Sequence, residues 1–167
     1  IEEPWVRVPV SDQGIPGMAM LISKHLKNTE EKELVRLERL GGFSDAIFAV
    51  AITLLILTID VPAVSDASQL GSELQALWPK FLGFLISFFI IGSFWVSHHL
   101  IFNYLKRFTP GLLWLNLIFL LFIVTLPFST DLMSEYNNSS TALIFYNANM
   151  ALASLMLCIL WVYISHD

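Results

Sequence analysis

The sequence predicts an all-α membrane protein, a helical bundle with four transmembrane helices, and three observations carry that prediction. Hydrophobic residues make up 56% of the chain and its mean hydropathy is +0.68, above the usual balance of a soluble domain. Several stretches reach the roughly 20 mainly apolar residues that one helical crossing needs. Lys and Arg also collect in alternate connections, the asymmetry that orients membrane helices.

Span one covers about 40–60, and from Leu40 to Ile59 its only formal charge is Asp45. Spans two, three and four, about 81–105, 108–130 and 142–164, contain no Asp, Glu, Lys or Arg, so none strands a fixed charge in hydrocarbon. Trp78-Pro79 opens span two as an interfacial aromatic followed by an early helix proline. Trp114 and Trp161 fit an aromatic belt near the ends of spans three and four.

Residues 1–29 read as a soluble lead and 30–167 as the transmembrane domain. Ile15-Pro16-Gly17 punctuates the lead, and Asn28 with Glu31 has the spacing of a capping box, which predicts a helix starting there. Met18 or Met20 reads as a natural start, which would set the residues before Met18 outside the native protein. Lys24, Lys27, Lys32, Arg36 and Arg39 precede span one, and Lys106 with Arg107 fills the link between spans two and three. By contrast, the other loops hold Asp60, Asp66 and Glu73 against Lys80, and Asp131 with Glu135 against no cation. The N-terminus is therefore expected on the cytoplasmic side of a multi-pass protein of the cell membrane.

Several functions are disfavoured by the same residues. The net charge of −5 comes mostly from acids in the lead and outer loops, with no basic surface for nucleic acid. Cys158 is the single cysteine and excludes an intramolecular disulfide. Asn137 and Asn138 begin N-x-S patterns that carry meaning only in a eukaryotic secretory route. His98 and His99 are adjacent, so their side chains diverge by about 100° on a helix and cannot grip one metal ion together. Ser44, Asp45 and His98 supply the groups of a hydrolytic triad without a nucleophile elbow or oxyanion motif. No enzyme, metal centre or cofactor is expected.

Polar groups at membrane depth are the informative ones, because an ionisable side chain there normally faces a bundle interior, a partner or water. Asp45 in span one, His98, His99 and Asn103 late in span two, and Asn116 early in span three share one level, which points to a network across three helices. Arg39 lies six residues before Asp45, about 9 Å along the axis and off the favoured i, i+4 geometry. The partners left open for Asp45 are His98 or His99, a neighbouring subunit, or the helix dipole with hydration. On a helical wheel Val50, Thr53, Leu54 and Leu57 fall in an arc of about 100°, nearly opposite Asp45, Ile52 and Ile56. Such an arc serves either as a pore lining or as an ordinary packing stripe.

Arg39-Leu40-Gly41-Gly42-Phe43-Ser44-Asp45 reads R-x-x-x-F-S-D at the start of span one. Together with F-W-V-S-H-H-L at Phe94–Leu100 and L-W-L-N-L at Leu113–Leu117, it resembles a prokaryotic member of the transmembrane protein 175 potassium-channel family. The resemblance covers roughly Arg39 to Ile164. It implies a potassium-permeable channel without the T-V-G-Y-G filter, assembled as a homotetramer with the first helix of each subunit lining the pore. It further implies that Arg39, Phe43, Ser44 and Asp45 hold helices and subunits together, with His98, His99 and Asn116 as network partners. A usual family subunit has six spans against the four predicted here. Two other functions stay open: a proton- or ion-coupled transporter using Asp45 and His98, and a non-conducting structural bundle.

Overall fold

The computed structural model describes residues 16–64, 66–105, 107–136 and 138–166. Helix α1 runs Pro16–Leu54 and tightens into a 3-10 turn at Leu55–Thr58. A short 3-10 turn at Ala67–Gln69 and α2, Leu70–Ala76, lead to α3 (Trp78–Phe102), α4 (Pro110–Glu135) and α5 (Ser140–Ser165). Four helical stretches are long and apolar enough to cross a membrane: Ser23–Thr58, Trp78–Phe102, Pro110–Glu135 and Ser140–Ser165. They correspond to the four predicted spans, with most ends shifted by a few residues, but the first stretch begins at Ser23 rather than near residue 40.

The capping box predicted at Asn28 and Glu31 does not begin a helix. The described part of α1 already starts at Pro16, and the Thr29 hydroxyl donates to the His25 carbonyl at 3.0 Å within it. Good helix formers on either side, Leu26, Lys27, Glu30 and Glu31, carry the backbone through Asn28. Asp66 does cap a turn: its carboxylate accepts from the Ser68 amide at 3.1 Å and hydroxyl at 2.8 Å. Those bonds hold the Asp66 carboxyl below its ordinary range.

Two compact units divide the chain, one through Arg36 and one from Leu37. In the first, Leu21, Leu26, Leu34 and Val35 are exposed among charged neighbours. The second contains the bundle. There α1 buries Leu40, Ser44, Phe48, Ala51 and Leu55, a helical stripe at successive three- and four-residue steps. The apolar members of that stripe pack into a core with Ile91 and Phe94 of α3, Leu112, Phe119, Ile123 and Leu126 of α4, and Ala153, Leu160 and Ile164 of α5.

Side-chain bonds at both ends set α3 and α4 antiparallel: Lys80 pairs with Glu135 at 2.7 Å, and His98 meets Asn116 at 2.8 Å. Gly83 permits their close approach, since a Cβ there would stand 2.7 Å from the Ser134 hydroxyl oxygen. At the α3–α4 link, Thr109 and Tyr163 hydroxyls are 3.0 Å apart and tie the start of α4 to the end of α5.

A second polar layer lies farther along the bundle. The Thr130 hydroxyl donates to Ser87 at 2.8 Å, and Ser87 lies 3.3 Å from the Tyr146 hydroxyl. Asn149 donates to Ser129 and to the Phe122 carbonyl, both at 3.2 Å. Pro127 sits inside α4 between those partners and lacks the N–H that would meet the Ile123 carbonyl. Polar side chains near such a proline compensate for the interrupted ladder in hydrocarbon, where water is absent.

A polar bracket and an outward stripe on the first helix

Three helices converge on Asn116, which is fully buried near the start of α4. The amide nitrogen of Asn116 donates to Ser44 Oγ at 2.9 Å, while Ser44 Oγ donates in turn to the Leu40 carbonyl at 2.9 Å. That direction fixes the other contact. With its nitrogen committed to Ser44, Asn116 presents Oδ1 to His98 Nε2 at 2.8 Å, so the imidazole carries its proton on Nε2 and donates. The resulting chain runs from His98 through Asn116 and Ser44 to the backbone of α1.

Aromatic rings enclose the imidazole. Phe102 stands 4.0 Å from His98 between ring centroids, Phe119 stacks at 5.5 Å and 7°, and Phe48 of α1 approaches at 5.6 Å. These rings exclude water from a group whose proton already has an acceptor, and the arrangement joins α1, α3 and α4.

Asp45 takes a different partner from those considered in the sequence. The Trp95 indole donates to Asp45 Oδ1 at 2.8 Å, whereas His98 is occupied with Asn116. His99 is exposed and lies beside Trp95 with ring centroids 5.9 Å apart. Trp95 was legible only as an aromatic at membrane depth; its position four residues before His99 and three before His98 was the available signal. Asn103 caps α3 through its backbone and is exposed, outside the network. Arg39 is exposed, and Phe43 is 48% exposed, so neither enters the bracket.

The remaining predicted site residues share an outward stripe of α1. Val50 is 55% exposed, Leu54 39% and Leu57 72%, and Thr53 is exposed with its hydroxyl donating to the Val50 carbonyl at 2.9 Å. Ile56, expected on the opposite face, is itself 46% exposed. Leu55–Thr58 is a 3-10 turn, and the partly exposed Ile56 side chain lines an open cavity shared with Leu77, Trp78 and Phe81. The face held against the bundle is that of Phe48, Ala51 and Leu55. Among the described residues no group of His, Cys, Asp and Glu is assembled to hold a metal ion.

A four-helix membrane bundle, with its first helix bracketed by buried polar groups on one side and unpaired on the other, defines a multi-pass membrane protein. Its residues 39–127 match the family profile described as endosomal/lysosomal potassium channel TMEM175, and the chain belongs to that family. A potassium channel of Streptomyces collinus is 38% identical over 127 residues, 74% of this chain and 62% of that protein. The crystal structure of a lysosomal potassium-selective channel TMEM175 homolog from Chamaesiphon minutus superposes with a TM-score of 0.73 at 34% identity, covering 77% of this chain and 71% of that one. The endosomal/lysosomal proton channel TMEM175 of Gallus gallus is 37% identical over 111 residues, 62% of this chain and 22% of its own length. The chain thus spans less than two thirds of the length of the bacterial relative from Streptomyces and about a fifth of the avian one.

Proposed function

We propose that the chain is a subunit of a potassium-permeable cation channel, a homotetramer in the cell membrane whose ion path is lined by α1 of each copy. The observation that carries this reading is the stripe of Val50, Thr53, Leu54 and Leu57, exposed on a helix whose other face is bonded to α3 and α4. Apolar side chains there can form rings that gate by dewetting. The Thr53 oxygen, having donated its proton to Val50, keeps lone pairs with which to replace part of a cation's hydration. The Streptomyces relative, named a potassium channel, supports the same permeant ion.

In this reading the N-terminus is cytoplasmic, supported by Lys24, Lys27, Lys32, Arg36 and Arg39 before the first crossing and Arg107 in the α3–α4 link. Lys106, in that link, and Asn137, in the α4–α5 link, lie outside the described residues. Purified protein in a planar bilayer under a K⁺/Na⁺ gradient should carry passive current reversing toward the K⁺ equilibrium potential. In the same preparation an impermeant thiol reagent should reach a cysteine at Ser68 from the external side and one at Arg107 from the cytoplasmic side. A silent bilayer, or slow stoichiometrically coupled uptake, would sink the channel reading.

Protons are the second permeant ion to test, because the avian relative is named a proton channel and Asp45 presents a carboxylate at an exposed position of α1. A transporter relay from Asp45 to His98 finds less support, since Trp95 and Asn116 occupy those two groups separately. Current that follows a proton gradient at symmetric K⁺ and Na⁺ would favour the proton reading.

A further inference from the structure

At the end of α1 opposite the polar bracket, a cavity of about 410 Å³ opens between the 3-10 turn, the following loop, α2 and the start of α3. Its walls are apolar: Ile56, Ile59, Val61, Leu77, Trp78 and Phe81 are among them. Asp60 is the one ionisable side chain lining it, and no hydrogen bond or ion pair to that carboxylate occurs among the described residues. The nearby cation, Lys80, bonds Glu135 at 2.7 Å and is drawn to Asp60 only by a weaker attraction without contact. Trp78 and Phe81 stack beside the cavity with centroids 6.3 Å apart and an interplanar angle of 20°.

We propose that this cavity binds a single-chain amphiphilic cation, its alkyl tail among Ile56, Leu77 and Phe81 and its positive head between the Asp60 carboxylate and the Trp78 ring. The volume falls in the range of small-molecule sites, roughly 300–1,000 Å³, and an apolar wall with one charged group is their usual composition. Charge complementarity selects the head group: an anion would meet Asp60, a neutral chain would leave it unused, and a quaternary ammonium adds attraction to the indole face. Depth selects the rest. The cavity lies where the first and second crossing helices end and begin, so an amphiphile in the bilayer reaches it with its head already at the interface. Ile56 and Ile59 flank Leu57, and an occupant therefore braces the turn that carries the last member of the outward stripe. That consequence for conduction rests on the channel reading, whereas binding does not.

The probe is dodecyltrimethylammonium, titrated calorimetrically into the full chain in phosphatidylcholine nanodiscs with empty nanodiscs subtracted. Saturable binding of one probe per chain is expected. Filling the cavity with Leu77→Trp, or independently with Val61→Trp, should abolish it while the helical circular dichroism is retained. Asp60→Asn should weaken it by about fivefold and Asp60→Glu should restore it, the scale of one partly solvated charge contact. Heat no greater than that of empty nanodiscs overturns the proposal. So does full binding in both tryptophan variants, or equal affinity for dodecyl maltoside, which would make the occupant a neutral chain. A Leu74→Cys variant carrying Cys158→Ser that crosslinks two copies through this face would assign the cavity to a second copy and likewise overturn it.

Discussion

The side-chain amide of Asn116 serves two helices at once because it presents a donor and an acceptor on one rigid plane. Ser44 needs a donor, having given its own proton to Leu40, and His98 needs an acceptor for Nε2–H. Removing the amide therefore breaks both contacts and leaves a buried imidazole donor with no partner. Asn116→Ala should lower the stability of the detergent-held protein by about 2 kcal/mol, the usual scale for such an orphaned group. His98→Phe combined with Asn116→Leu should cost less than the sum of the two single changes, with a coupling on the order of 1 kcal/mol, since neither polar atom is then stranded. Chemical unfolding followed by circular dichroism reads all three, and strict additivity would show that the bond contributes nothing to holding the helices.

At the scale of elements, hydrophobic pattern made the crossing helices legible, whereas their mutual bonds were only partly so. Asp45, His98 and Asn116 stand out because an ionisable or amide group amid Leu and Ile is conspicuous in any apolar run. Ser87, Thr130 and Tyr146 do not, because hydroxyls are common in membrane helices and usually bond their own backbone, as Thr125 does to Leu121 at 2.8 Å. Only tertiary contact distinguishes the two cases. The end of α1 is hidden for a related reason: nothing in Leu55-Ile56-Leu57-Thr58 announces 3-10 winding before the Thr58 hydroxyl is seen bonded to Leu55 at 2.8 Å. Asn149 tests how far the second polar layer supports α4 around Pro127. Asn149→Leu removes a donor from Ser129 and from the Phe122 carbonyl, and should destabilise the fold by about 1 kcal/mol. Amide exchange at residues 122–126 should quicken at the same time. Unchanged exchange would mean that the α4 backbone does not depend on Asn149.

For the whole molecule, the two faces of α1 have separate assignments that a single set of substitutions can pull apart. Ile52 is half-buried against the core, so Ile52→Ala removes packing and should cost about 1–2 kcal/mol while leaving permeation alone. Ile56 is the weaker control because it is 46% exposed and has less packing to lose. On the stripe, Val50→Ala and Leu54→Ala shorten side chains that are exposed in the subunit, and they should cost little stability. If four copies bring these residues around one path, each shortening widens an apolar ring fourfold over, and single-channel conductance should rise by roughly twofold or more as the constriction wets. Thr53→Ala acts differently. It deletes the one hydroxyl of the stripe without enlarging an apolar ring, so current should persist while the K⁺/Na⁺ permeability ratio falls. Recording all four variants beside their unfolding midpoints separates packing from permeation: a change of ion preference in Ile52→Ala, with none in Val50→Ala, Leu54→Ala or Thr53→Ala, would place the path on the other face of α1.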